Sequence, residues 1–219
     1  MVRANPVSVE AIRIETGPKP EAAVIWLHGL GADGHDFEPI VPELRLKKAV
    51  RFIFPHAPIR PVTINQGMRM RAWYDILQLG GGPEDEPGLR ASQKITEELI
   101  GAQGMPSNKI VLAGFSQGGA IVLQTALRFP ERLAGVVALS TYLPLASTLG
   151  AERSDANRDL PVFMAHGQYD DLIPLSRARS SREHMEKLGY KIEWHDYPMP
   201  HSVCAPEIAD ISAFFAKVI

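Results

Sequence analysis

The stretch Lys109–Phe129, KIVLAGFSQGGAIVLQTALRF, constrains the fold of this chain more than any other. KIVLAG has the length and β-branched character of a buried strand, and AIVLQTALRF that of a buried helix. A strand passing directly into a helix is half of a β-α-β unit, the building block of a parallel sheet. At the join stands a polar residue, Ser116, in the pattern Gly114-x-Ser116-x-Gly118. So sharp a turn holds the serine in strained backbone, with its Oγ projecting over the sheet edge. Small neighbours avoid clashes there. The helix behind turns its positive end and free N–H groups towards any anion formed at that point. The bland alternative is a serine that merely caps the helix.

The rest of the chain repeats the alternation. AAVIWLHG, RFIFPHAP, AGVVALS and LPVFMAHG read as strands, and KIEWHDYP alternates as another. SQKITEELIGAQG carries Ile95, Leu99 and Ile100 on one helical face. LSRARSSREHMEKLGY is a polar amphipathic helix ending at Gly189, and APEIADISAFFAKVI closes the chain as a helix with Ile208, Ile211, Phe214 and Phe215 inward. This order predicts one α/β domain over residues 1–219, a mostly parallel central sheet flanked by helices. Its functional groups belong in loops at the carboxyl ends of the strands. The least regular region, Pro58 to Arg90, contains QLGGGPEDEPGL and is expected to be a substrate-lining loop.

A nucleophilic serine needs a base and an acid, which in this architecture follow it in the order acid, then histidine. Among the histidines after Ser116, His184, His195 and His201 are the candidates for the base. His184 falls within a helix and His195 within a strand. His201, in PMPHSVC, falls after a strand and before the last helix, where a base can meet the serine. LPVFMAHGQYDDLIP places Asp170 and Asp171 just past a strand, and position does not separate them. For an oxyanion, Gln117 N–H is one donor by position. WLHGLGADGHDF supplies a second loop, with Leu30 as the expected donor. The same loop lacks the lysine of a phosphate loop, and no histidine or cysteine spacing suits a metal.

Composition narrows the class. The net charge of −2 gives no basic excess for nucleic acid or an anionic membrane. Cys204 is the only cysteine, so no disulfide closes within the chain; it is expected to be an apolar filler beneath the His201 loop. The N-terminus lacks the apolar core of a signal peptide, and no apolar run is long enough for an integral membrane segment. A cytoplasmic setting is the expectation. Nothing in the sequence decides for or against a homodimer.

LHGLGADG, RAWYDI, GFSQGGA, HGQYDDLIP and MPHSVC, in this order, resemble the bacterial carboxylesterase and acyl-protein thioesterase family of α/β-hydrolases over nearly the whole chain. The resemblance implies an α/β-hydrolase sheet without a large cap domain. It implies Ser116 as nucleophile, Asp170 as acid and His201 as base, with Leu30 and Gln117 at the oxyanion positions. Asp170 is selected over Asp171 because the family's acid is the fifth residue of its H-G-x-x-D motif. Asp171 itself stands where eukaryotic members often carry proline. Trp73 resembles part of the family's substrate wall, and Ile64, Met68, Met70, Ile76 and Leu77 are the other apolar candidates for it. The expected activity is hydrolysis of a small-molecule short- to medium-chain carboxylic ester through an acyl-enzyme, with acyl thioesters also accepted and no metal or organic cofactor. An acyl-protein thioesterase, or an acyltransferase using the same triad, are the alternatives.

Overall fold

The structure, a computed structural model, describes residues 9–78 and 81–219. The first eight residues, part of the stretch read for a leader, lie outside the described residues, as does Gly80 of the glycine triplet. The chain runs β1 (Ala11–Glu15), β2 (Ala22–Leu27), β3 (Val50–Pro55), β4 (Ile59–Val62), β5 (Met68–Arg71), α1 (Glu86–Gly101), β6 (Ile110–Phe115), α2 (Gln117–Ala126), β7 (Gly135–Leu139), α3 (Ala146–Glu152), β8 (Val162–Gly167), α4 (Leu175–Lys187), β9 (Ile192–Tyr197) and α5 (Ala205–Val218). Seven strands form one sheet in the order β1-β3-β2-β6-β7-β8-β9. All neighbours are parallel except β1, which runs antiparallel to β3 with Ala11 opposite Pro55.

The period-2 geometry of a strand sorts its side chains onto two faces. Val24, Trp26, Phe52, Phe54, Val111 and Ala113 join one apolar cluster, beneath α5 and the turn at Glu38–Leu44. Ile25, Leu27, Ile53 and Leu112 join the other, beneath α1 and α2. Both faces are covered, which is why β2, β6, β7 and β8 read as continuous apolar runs. Helix α2 is buried along its whole length. Strand order turns back between β2 and β6: the chain places β3 outside β2, then crosses to the other side. The carboxyl ends of β2 and β6 therefore open into a crevice, where ligands of open α/β sheets bind.

Strand β1, helix α3 and both strands of the β4–β5 hairpin escaped the sequence reading. Strand β1, AIRIE, is short, with Ile12 and Ile14 packing inward while Arg13 and Glu15 are exposed. Helix α3 is also short. The described part of the region from Pro58 to Arg90 is more regular than a long loop. It holds the β4–β5 hairpin, closed by a turn in which Gln66 and Gly67 take positive φ, and the beginning of α1. Pro87, which marks a loop by composition, sits in the first turn of α1, where its missing N–H costs nothing. Asp85 caps that helix by accepting from Gly88 N–H at 3.0 Å.

Helix α5 fixes the end of the segment that carries His201. Cys204 is half-buried at its N-cap, more open than a filler beneath the loop, and its Sγ accepts from the Glu207 backbone N–H. Glu207 reaches back to the Cys204 N–H at 3.4 Å. The Glu207 side chain is fully buried, and its Oε1 has no partner among the described residues. Loss of solvation pushes its carboxyl up to about 8; the Cys204 N–H pulls it down and Asp210 pushes it up further. Glu207 thus keeps its proton at neutral pH. From pH 4.5 to about 8 the folded chain holds a proton that the unfolded chain has released, so stability falls as pH rises through that window. We expect Glu207→Gln, which stays neutral, to match the parent at pH 4.5 and to exceed it at pH 9 by on the order of 3–5 kcal/mol. Urea denaturation at the two pH values checks this; equal differences at both would contradict it.

Candidate active site

Ser116 occupies the N-cap position of α2 but makes no capping bond with its side chain. The capping alternative therefore falls, and the hydroxyl is free for chemistry. Its backbone lies at φ 54°, ψ −117°, a strained conformation for a residue with a side chain. The neighbourhood holds it there. Ser116 N–H donates to Leu139 O at 2.8 Å, and Ser116 O accepts from Thr141 Oγ1 at 2.7 Å and Ala120 N–H at 3.1 Å. The flanking glycines are set by backbone contact. A Cβ at Gly118 would lie 2.2 Å from Leu27 O, and one at Gly114 would lie 2.5 Å from the Gly118 backbone. Helix α2 leaves β6 so closely that it presses on the end of β2.

Asp170 follows β8, and its side chain is shielded from solvent. Oδ1 accepts from Leu172 N–H at 3.0 Å and Ile173 N–H at 2.8 Å. Oδ2 lies 2.6 Å from His201 Nδ1. A carboxylate only accepts, so the shared proton sits on Nδ1 and leaves Nε2 as the free base. Asp171 is exposed and makes no bond to His201, so geometry separates what position could not. The two loops meet because Gly167 has no side chain: a Cβ there would lie 2.3 Å from Pro200 O. Gln168 N–H and Tyr169 N–H then donate to Tyr197 O and Met199 O. The His201 ring packs on Phe115, with centroids 4.8 Å apart. His184 and His195 lie on α4 and β9, and neither lines the cavity described next.

Ser116, Gln117, Leu30 and His201 share one cavity of about 600 Å³. The amides following Leu30 are committed, Gly31 N–H to Arg71 O and Ala32 N–H to Gly29 O. Below this loop the buried His28 accepts from Ala57 N–H at Nε2, so its proton is on Nδ1, which donates to Gly29 O at 2.7 Å. Burial holds His28 down at about 4, so the ring supporting the loop is neutral.

Trp73 is not part of the cavity wall. It is fully buried, with Nε1 donating to His28 O at 3.0 Å and its own carbonyl accepting from Ser92 Oγ. The Gln117 amide clamps this segment: Oε1 accepts from Trp73 N–H and Nε2 donates to Tyr74 O, both at 2.7 Å. The Trp73 backbone thus ties to the helix that follows Ser116, while its indole holds the end of β2 at His28. Met70 is also displaced from the wall, its sulfur taken up by Asn65 Nδ2 at 3.3 Å. Met68 is exposed, and Leu77 lies outside the cavity. Ile64 and Ile76 do line it, together with Phe115, Leu172 and Ile173. The sequence reading missed Tyr74, Tyr142 and Arg177 at its polar side. Tyr74 and Tyr142 hydroxyls are 2.8 Å apart, and the Arg177 guanidinium sits 3.4 Å from the Tyr142 ring centroid. Tyr142 follows the carboxyl end of β7, so the strand-end rule could have found it. Among the described residues no cluster of three His, Cys, Asp or Glu side chains is placed to hold a metal, and no helix is long and apolar enough to cross a membrane.

The chain matches a sequence profile of the phospholipase/carboxylesterase family over residues 10–219. It is 41% identical over 211 residues to acyl-protein thioesterase 1 of Gibberella zeae, covering 90% of each chain. It is likewise 41% identical to acyl-protein thioesterase 1 of Mycosarcoma maydis, covering 95% of each. Among solved structures it is similar to Zea mays acyl-protein thioesterase 2, with a TM-score of 0.85 at 27% identity over 94% of this chain and 98% of that one. Arabidopsis thaliana SOBER1 gives the same TM-score at 28% identity, over 90% and 98%. A strained serine and a buried aspartate–histidine pair at the carboxyl edge of such a sheet are in keeping with these relationships. The chain belongs to the phospholipase/carboxylesterase family of α/β-hydrolases and is a serine hydrolase of the esterase and thioesterase kind.

Proposed function

We propose that the chain hydrolyses short- to medium-chain carboxylic esters and acyl thioesters through an acyl-enzyme on Ser116. His201 Nε2 takes the serine proton as Oγ attacks the acyl carbonyl. The N–H groups of Leu30 and Gln117 receive the tetrahedral oxyanion. His201 then returns the proton to the departing alcohol or thiolate, and water repeats the cycle on the acyl-enzyme. Asp170 stays ionised, keeps the His201 proton on Nδ1 and stabilises the imidazolium. The observation that carries this reading is the 2.6 Å contact of Asp170 with His201, whose ring opens into the same cavity as Ser116.

Substrate length follows from the wall. Ile64, Ile76, Phe115, Leu172 and Ile173 offer an apolar surface, on which each buried methylene adds up to about 0.8 kcal/mol. Similarity to the two acyl-protein thioesterases favours thioesters and makes an acylated protein the second reading of the substrate. A single cysteine suits a reducing, cytoplasmic compartment.

We expect Ser116→Ala to lose about 10⁴- to 10⁶-fold in kcat while keeping the fold. Asp170→Asn should lose about 10⁴-fold, and Asp171→Asn should stay within about 3-fold of the parent. The assay is kcat/KM on acetyl to dodecanoyl esters and on matched thioesters, with circular dichroism of each variant. More than a few percent of activity in Ser116→Ala, or equal losses at the two aspartates, would overturn the assignments.

A further inference from the structure

Asp170 is approached by a second histidine besides His201. His166 lies near the end of β8, with its side chain 1% exposed. Its Nε2 donates to Ile173 O at 2.7 Å and lies 3.3 Å from Asp170 Oδ2, the oxygen that His201 uses. Ile173 is also the residue whose N–H holds Asp170 Oδ1. One imidazole edge therefore closes the turn that grips the carboxylate and faces the carboxylate itself. The other nitrogen, Nδ1, is buried and has no partner among the described residues. A protonated ring would leave an unpaired N–H there, at a cost that a neutral ring avoids.

Other charges near His166 act in known directions. Burial is the largest influence and pushes its pKa down; the Ile173 carbonyl and Asp170 oppose this, His201 adds to it, and Asp196 opposes it. Asp196, opposite His166 on β9, is already engaged by Gln168, Trp194 and Arg179.

We infer that His166, neutral and protonated on Nε2, is a positioning residue for Asp170 that sets how tightly this carboxylate holds the His201 imidazolium. The inference rests on the proposed function only in taking Asp170 as the acid. An N–H edge beside Oδ2 disperses part of the charge that faces His201. Without it the carboxylate binds the His201 proton more tightly, and the free base appears only at higher pH. A histidine that merely filled the end of the strand would affect stability and leave the pH dependence of catalysis unchanged.

The test compares His166→Leu, which removes the donor, with His166→Gln, whose side-chain amide can restore one. On a neutral ester, His166→Leu, which also frees the Ile173 turn that grips Asp170, should lower kcat about 10- to 100-fold with little change in KM. The acid limb of its kcat/KM profile should move about half a pH unit upward, and His166→Gln should recover most of both changes. An unmoved acid limb, or a loss confined to KM, overturns the inference. Asp170→Asn assayed alongside separates the two levels. Full activity there removes the proposed acid, whereas an inactive Asp170→Asn beside an unaffected His166→Leu overturns only the role of His166. Nitrogen-15 histidine spectra of the parent protein decide the matter even where the leucine variant does not fold. They should show His166 neutral with its proton on Nε2 at pH 7; an Nδ1-protonated or cationic ring overturns the inference.

Discussion

The site depends on one close approach of backbone to backbone. Helix α2 starts so near the end of β2 that Gly118 has no room for a single carbon against Leu27 O. That approach forces the chain to turn within one residue after β6, and the residue at the turn is Ser116. The strain at Ser116 is then held by bonds to Leu139, Ala120 and Thr141, all from elements already packed in the core. The same approach brings the Gln117 amide within reach of Trp73 and Tyr74, so the Ser116 turn and the segment behind it lock as one unit. A rigid sheet thereby fixes the positions of groups that lie on its loops, which is what preorganised catalysis requires.

Charge around the site is arranged by withholding it. His28 carries no charge because burial disfavours the imidazolium, and its two nitrogens are matched to one donor and one acceptor. Glu207, under the far end of the His201 segment, keeps its proton for the same reason. Asp170 is the exception among these buried groups. Its two backbone donors and His201 give a carboxylate the partners that make burial tolerable. In the proposed mechanism, a negative charge beside His201, with neutral supports elsewhere, gives the cation formed on His201 during attack a counterion already in place.

How much of this could be read in advance depended on how local the cause was. The strands between the two apolar layers were legible because burial on both faces writes a continuous apolar run. Strand β1 was not, since five alternating residues at a sheet edge carry little signal. The β4–β5 hairpin contains Pro61 and Gly67 and three arginines, so its composition reads as loop although its backbone pairs. The order of serine, aspartate and histidine was legible from strand ends. The choice between Asp170 and Asp171 was not legible from position, because it turns on which carboxylate points into the protein. Trp73 was misread for the same reason: a motif shows that an indole is needed, and only the packing shows that it is buried against His28 instead of facing the cavity.

The central claim is that Ser116 is the activated nucleophile of an open cavity. A fluorophosphonate probe tests it most directly, because it reports nucleophilicity without assuming any substrate. Intact mass spectrometry followed by peptide mapping should find a single phosphonyl adduct on Ser116, formed more slowly when a medium-chain ester competes. Labelling at Ser202 or Cys204 beside His201, or no labelling of folded protein that still hydrolyses the ester, would contradict the account.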